Sequence, residues 1–369
     1  MIGTEHEYSI NNDQFRPLPV SDQIIRKICG RYESEILFGN AKLGKELQKT
    51  VLEFVPRQPA DSLSPLETQV MDGIDRFTTI FRGQYRLLGL GMHPLARVDD
   101  IPVWDHDEGE YYEVYDRLFN IRQHGWLNIQ ALQVNLSYGN DREMVTLYNR
   151  LRPLLPYLIA VTASSPMVEG ELTGSCDNRL HYYRTNQKEI PLICNNIIPE
   201  KLRSVADYRK TQKTIFSELR SRDAGILCEE WLNSSGLIIR FSRRCIEIKA
   251  LDEQESVRSD MAVCAFIRAL LRCPALPVAT DQGDLLSLTE DAIHAGTAAF
   301  RPELVRLYER AWAHATLEEK RYLPVVRSRI ENGSLAELMR ERFENEHTMQ
   351  PVLADMAAAL AKNRPYGTG

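Results

Sequence analysis

Apolar and polar residues alternate with a period of two over Ile2–Ile10, and the reading there is a β-strand opening the chain. The same period marks Thr50–Val55, closed by Pro56, and Leu132–Leu136. Leu237–Phe241 and Cys245–Leu251 read as paired strands joined by a short basic turn. The pattern changes to helical spacing between Pro65 and Leu87, where Leu66, Val70, Ile74, Phe77 and Phe81 recur on one face. Leu88–Pro94 reads as a short buried strand stopped by a turn. Helices are expected at Val205–Ser221 and Ser259–Leu271, and another from near Asp141. Beyond Pro274 the chain is mostly helical and charged, with starts near Thr289, Pro302 and Ser334. Strands and helices do not alternate strictly. This predicts an α+β fold built on a mainly antiparallel sheet with flanking helices, in preference to a doubly wound one. Pro274–Pro277 is the expected boundary between a catalytic body, residues 1–275, and a helical C-terminal portion, residues 276–369, packed on the same domain.

Side chains two apart on a strand share a face. Glu5 and Glu7, Gln133 and Asn135, and Glu247 and Lys249 are three such pairs, and Glu53 stands between Leu52 and Phe54. On the solvated face of an antiparallel sheet this is ordinary alternation. Gathered on one face of one sheet, these carboxylates would repel one another unless cations neutralised them, and their oxygens suit Mg2+, Mn2+ or Ca2+ better than zinc. His6 points to the opposite face, toward core or a packed helix. His93 is read as a turn residue or a catalytic one, and Asp105–Glu110 as a solvated acidic turn that fails the spacing of a calcium loop. Cys176 is read as a packed thiol, and Arg342 as part of an exposed helix face.

Composition narrows the classes. The net charge of −6 disfavours a nucleic-acid groove as the main business. No run approaches the ~20 apolar residues of a membrane-spanning helix, and no basic-then-apolar leader opens the chain. The 7 cysteines form no C-x-x-C pair, so reduced thiols in the cytoplasm are expected. No Gly-Lys-Ser/Thr phosphate loop is present.

Taken in order, six blocks resemble the glutamate–cysteine ligase family, nearest its plant and proteobacterial branch. They are Ile2–Glu7, Glu46–Glu53, Gly89–Pro94, Leu132–Leu136 with Asn140–Asp141, Ala163–Arg179 and Arg243–Asp252. The resemblance implies a fold like the catalytic domain of glutamine synthetase, an antiparallel sheet curved around a metal-lined funnel. It also implies ATP-dependent joining of a small-molecule carboxylate, glutamate in the family, to an amine through an acyl phosphate. By the same resemblance, Glu5, Glu7, Glu46, Glu53 and Glu247 would hold Mg2+ (or Mn2+), and Gln133 and Asn135 would complete an ion's shell or meet nucleotide. Arg243 or Arg244, with Lys249, would stabilise phosphoryl charge, and Arg179 would bind the acceptor's second carboxylate. A homo-oligomer is compatible with the family. Lys249 stands where many members have Arg, and Gln133-Val134-Asn135 where carboxylate–amine ligase relatives have His-Val-His. Glu46 and Glu53, seven apart, reach one site only if a bulge or turn intervenes. Two other classes remain: a phosphotransferase of guanidino-kinase type, and a non-catalytic regulatory or binding subunit that kept the fold.

Overall fold

In this computed structural model, which describes residues 1–367, an eight-stranded antiparallel sheet organises the chain. Its strands are β1 (Ile2–Asn11), β2 (Glu35–Phe38), β3 (Ala41–Lys45), β4 (Val51–Pro56), β5 (Arg86–Leu88), β6 (Ala131–Ser137), β9 (Leu237–Arg240) and β10 (Cys245–Asp252). Between β6 and β9 in sequence, β7 (Met167–Val168) and β8 (Glu171–Leu172) form a separate two-stranded hairpin. The order across the sheet is β2-β3-β4-β1-β6-β10-β9, with β5 paired to the far end of β1.

One face of this sheet is apolar by alternation. Tyr8, Ile10, Leu52, Phe54, Leu132, Val134, Leu136, Ile246 and Ile248 are buried beneath helices. Each such aliphatic or aromatic side chain removed from water contributes roughly 1.5–3 kcal/mol. That burial sets the register. A slip of one residue in β1 would send Glu5 and Glu7 into the apolar layer. The helix Ser64–Ile80 packs on β3 and β4, and the helix Val257–Arg272 is buried along most of its length. The later helices Arg301–His314 and Leu323–Asn332 pack on that buried helix. Leu270 and Leu323, on either side of the segment 273–281, belong to one apolar core. No helix among the described residues is long and apolar enough to cross a membrane.

Several expected elements differ. The helix expected to reach Leu87 stops at Ile80; Gly83 takes a positive φ of 72°, and Arg86–Leu88 turns into β5. Of Leu88–Pro94, expected as a short strand stopped by a turn, Leu88 ends β5 and Gly89–Pro94 is a loop pressed against the end of β10. A Cβ at Gly89 would lie 2.2 Å from the Gln254 carbonyl oxygen, and one at Gly91 2.1 Å from Asp252 Oδ2, so only glycine fits at either place. The helix expected from Thr289 spans Gln282–Ala295, capped by Asp281, and the Thr289 hydroxyl bonds back to the Leu285 carbonyl inside it. The β2–β3 hairpin and the helix Ser21–Cys29 were not anticipated.

Candidate active site

The other face of the sheet carries the polar residues, and the strand pairing lines them up. Glu7 of β1 stands opposite Glu53 of β4, Glu5 opposite Gln133 of β6, and Asn135 opposite Glu247 of β10. Glu46 joins them through a reversal. It follows β3 directly, the chain turns back before Val51, and β4 runs antiparallel to β3 with Glu53 opposite Gly44. Glu46–Glu53 is thus a turn plus a strand, not one strand, and this is what brings two glutamates seven apart together. Oxygens of Glu7, Glu46 and Glu53 lie within 4.8 Å of one another.

Amides orient the carboxylates. Gln133 Nε2 donates to Glu7 Oε1 at 2.9 Å, and the Ala131 N–H to Glu7 Oε2 at 2.9 Å. Asn135 Nδ2 donates to Glu5 Oε1 at 3.0 Å. Burial raises the Glu7 carboxyl above its ordinary range, against the pull of those bonds from Gln133 and Ala131. Burial and the Glu7 charge push Glu46 up to about 8, and burial with the Glu5 charge holds Glu53 well above the usual carboxylate range. Ionising all of them in a low-dielectric site is unfavourable without added positive charge. Glu247 Oε1 is also buried with no hydrogen-bond partner among the described residues. The donor set is all carboxylate oxygen, without thiolate or imidazole, and it fits a hard divalent cation such as Mg2+ or Mn2+.

Cations ring the cluster. Arg243, in the turn between β9 and β10, donates from Nη1 to Glu5 Oε1 at 2.8 Å. Lys249 Nζ lies 3.7 Å from Glu247 Oε1; burial works against its charge, but Glu247, Tyr183 and Glu5 together raise its pKa. Arg244 is not brought to the cluster. It takes a φ of 53° in the turn and hands its guanidinium to the Gly139 carbonyl. Arg179 is not at the surface, and its hydrogen bonds go to Asp252 and Lys249, although the charge of Asp177, its alternative partner to a bound carboxylate, also acts on it. It is 1% exposed; Nε donates to Asp252 Oδ1 at 2.7 Å, and Nη1 and Nη2 to the Lys249 carbonyl at 3.3 and 3.2 Å. A guanidinium has five N–H donors, so two remain for a ligand while Asp252 aims the fork. The loop pressed against Asp252 and the bonds from Ser164 N–H and Ser165 hydroxyl at 2.9 and 2.7 Å fix that carboxylate in turn.

Two cavities meet at the carboxylates. One, of about 430 Å³, is lined by Glu5, Glu53, Lys42, Arg57 and Arg243. The other, of about 250 Å³, is lined by Glu7, Glu46, Arg179 and Lys249 together with aromatic walls. The second cavity was not foreseen, because its aromatic residues come from helices and loops with no strand phase to align them. Arg240 was also missed: Nη1 donates to Glu247 Oε2 at 2.6 Å, and its one signal was a charge ending an apolar strand.

Other singled-out residues lie elsewhere. His6 is buried under the sheet, 3.2 Å from Asp260 Oδ2. Burial lowers His93 to about 3, and it serves as a neutral turn residue whose N–H and carbonyl both bond Asn128. Asp105 and His106 are not a purely solvated turn; Asp105 and Asp22 hold the Lys49 ammonium, and His106 Nε2 lies 3.1 Å from Asp22 Oδ2. Burial pushes the Cys176 thiol up to about 12, as suits a packed side chain. Arg342 is tied to Glu346 and Asp355 across the last two helices.

The profile of glutamate–cysteine ligase family 2 matches residues 1–355. An uncharacterized protein of Archaeoglobus fulgidus is 46% identical over 99% of this chain and 100% of its own length. The chloroplastic glutamate–cysteine ligase of Arabidopsis thaliana is 25% identical over 51% of this chain and 38% of its own. Among solved structures, the glutamate–cysteine ligase of Francisella tularensis in complex with AMP superposes with a TM-score of 0.64 at 12% identity, covering 98% of this chain and 88% of that one. A bifunctional glutathione synthetase from Pasteurella multocida gives 0.65 at 14%, covering 98% of this chain and 52% of that one. These last two likenesses establish the fold.

Proposed function

This chain belongs to glutamate–cysteine ligase family 2, and from that premise we propose that it is an ATP- and magnesium-dependent carboxylate–amine ligase whose carboxylate substrate is glutamate or a close relative. One observation carries the reading: a half-buried cluster of carboxylates, short of positive charge, sits where a cation-rimmed cavity meets an aromatic-walled one. A ligase of this kind has to bring a triphosphate and an acceptor carboxylate to one point, and the amine to the same acyl carbon.

Magnesium held by Glu5, Glu7, Glu46, Glu53 and Glu247 would supply the positive charge that the phosphates and the acceptor require. The chain's own groups do the rest. Gln133 and Asn135 aim Glu7 and Glu5. Arg243, on the rim of the larger cavity, faces the nucleotide side, and Lys249 reaches toward charge developing on the transferred phosphoryl group. Arg179, aimed by Asp252, offers its two remaining N–H donors to the second carboxylate of the acceptor. Phosphorylation makes the carboxyl oxygen a leaving group, and the amine displaces it to form the amide.

The test is an ATP-hydrolysis screen of carboxylate and amine pairs with Mg2+, beginning with glutamate and cysteine, with products identified by mass spectrometry. One phosphate released per new amide bond supports the reading. A stable phosphorylated product without an amide would place the protein with phosphotransferases instead, and inertness toward every pair would favour a binding subunit.

A further inference from the structure

Two residues that line the aromatic-walled cavity each carry a buried polar atom that the fold leaves unsatisfied. Gln187 lines it and is 2% exposed, and its Oε1 has no hydrogen-bond partner among the described residues. The amide's orientation is set from outside. The Ser234 hydroxyl gives its hydrogen to the Leu232 carbonyl at 3.1 Å, so toward Gln187 it offers lone pairs, and Gln187 Nε2 donates to it at 3.0 Å. The acceptor oxygen is therefore the end left over. Trp126 lines the same cavity, and its buried Nε1, a donor only, also lacks a partner among the described residues. The segments bearing the two groups are locked together. Asn186 Nδ2 donates to the Gly125 carbonyl, and a Cβ at Gly125 would lie 2.1 Å from Asn186 Oδ1. Native folds leave few buried polar groups unpaired, and those they leave call for a reason.

We propose that Gln187 and Trp126 are specificity-determining residues of an amine subsite, and that they recognise a neutral group on the amine that donates and accepts at once: a hydroxyl or a carboxamide. The identity of the occupant as the amine rests on the ligase reading. The aromatic faces of Tyr112, Tyr115 and Trp231 suit an amine arriving as its ammonium. A hydroxyl or carboxamide can give a hydrogen to Gln187 Oε1 and take one from Trp126 Nε1. A methyl group can do neither, and a thiol does both only weakly.

The experiment compares three isosteric amines, L-serine, L-cysteine and L-2-aminobutyrate, with the full-length protein, Mg2+, ATP and glutamate. Amide formation and, separately, calorimetric binding of each amine are measured for wild type, Gln187→Leu and Trp126→Phe. The expected result is a preference of roughly three- to tenfold for serine over 2-aminobutyrate in wild type, the size of one neutral hydrogen bond. Cysteine should fall between them, and Gln187→Leu should erase the preference. Trp126→Phe keeps an aromatic side chain but loses the indole N–H together with the fused pyrrole ring, so it should reduce the preference even if Gln187→Leu does not fold. Absence of discrimination in wild type, or variants that weaken all three amines equally, would overturn the proposal. If no amide forms but binding still discriminates through Gln187, the subsite stands and the ligase reading falls.

Discussion

Two clusters of carboxylates flank the same strand, one fully buried and one half-buried, and they are built differently. On the cavity side of β1, Glu7, Glu46 and Glu53 crowd together with amides for neighbours and no cation among them. On the core side, Glu253 and Asp260 enclose His6, with Nδ1 3.5 Å from Glu253 Oε1 and 3.2 Å from Asp260 Oδ2. The core cluster contains its own counter-charge, and its members are fully buried. The cavity cluster has no cation at its centre; Lys45, Lys249 and Arg179 act on it only from its edge. A buried acidic group is therefore informative about ligands only after its internal cations have been counted. The two are also joined, since the Glu7 N–H donates to Glu253 Oε2 at 3.1 Å, so the closed cluster steadies the strand that presents the open one.

The largest expected effect breaks the closed cluster. His6→Ala leaves Glu253 and Asp260 buried without their cation, a change that typically costs about 3–5 kcal/mol of stability. Chemical denaturation should register it in the presence or absence of Mg2+ alike. A loss below about 1 kcal/mol would show that the two carboxyls are neutral without His6, and the contrast would dissolve.

Next comes the open cluster. Glu53→Gln removes one of the crowded charges, so the metal-free protein should melt at the same temperature or higher. Turnover should fall by roughly 10²–10³, the usual loss when a group stabilising transition-state charge is removed. A drop in melting temperature with activity retained would make Glu53 structural and reverse its place in the comparison.

This division was only partly legible in the sequence. Strand phase alone put Glu5, Glu7, Gln133, Asn135, Glu247 and Lys249 on polar faces, because a half-buried strand cannot hide its alternation. It said nothing about which strands are neighbours. The pairing of Asn135 with Glu247 depends on a contact between residues more than 100 apart. Glu46 was ambiguous for a local reason: the reversal after Lys45 contains no Gly or Pro to announce it. The closed cluster gave less warning still. His6 was correctly assigned to the opposite face, but Glu253 and Asp260 reach it only through the course of β10 and the helix after it. A one-dimensional pattern reports which way a side chain points and leaves its partners to the tertiary fold.

A smaller effect is expected at Arg179, which belongs to the cavity side but is held from the core end by Asp252. Arg179→Lys keeps the charge and loses the fork. The KM for the carboxylate substrate should rise roughly ten- to a hundredfold, the scale of hydrogen bonds to a charged group, while the KM for ATP stays constant. Equal changes in both constants would mean that Arg179 only supports the fold.

The gentlest test titrates the two clusters against each other without mutation. Burial alone would lower the His6 pKa, but its bonds to Asp260 and Glu253 outweigh that and push it up to about 10, with Thr4 Oγ1 at its other nitrogen. The folded protein then holds a proton that the unfolded chain gives up. The stability this adds is complete below the ordinary value of 6.5 and is lost as pH rises toward about 10. Glu46 is raised in the same direction, by burial first and the Glu7 charge second, from 4.5 to about 8, so the metal-free protein should also lose stability as pH rises through that lower window. Mg2+ separates the two contributions. Bound among Glu7, Glu46 and Glu53, it favours their ionised forms and should flatten the decline between about 4.5 and 8, while the alkaline decline set by His6 persists. Melting temperatures measured against pH, with and without Mg2+, distinguish the cases. If Mg2+ flattened both windows or neither, the two clusters would not differ in where their counter-charge comes from.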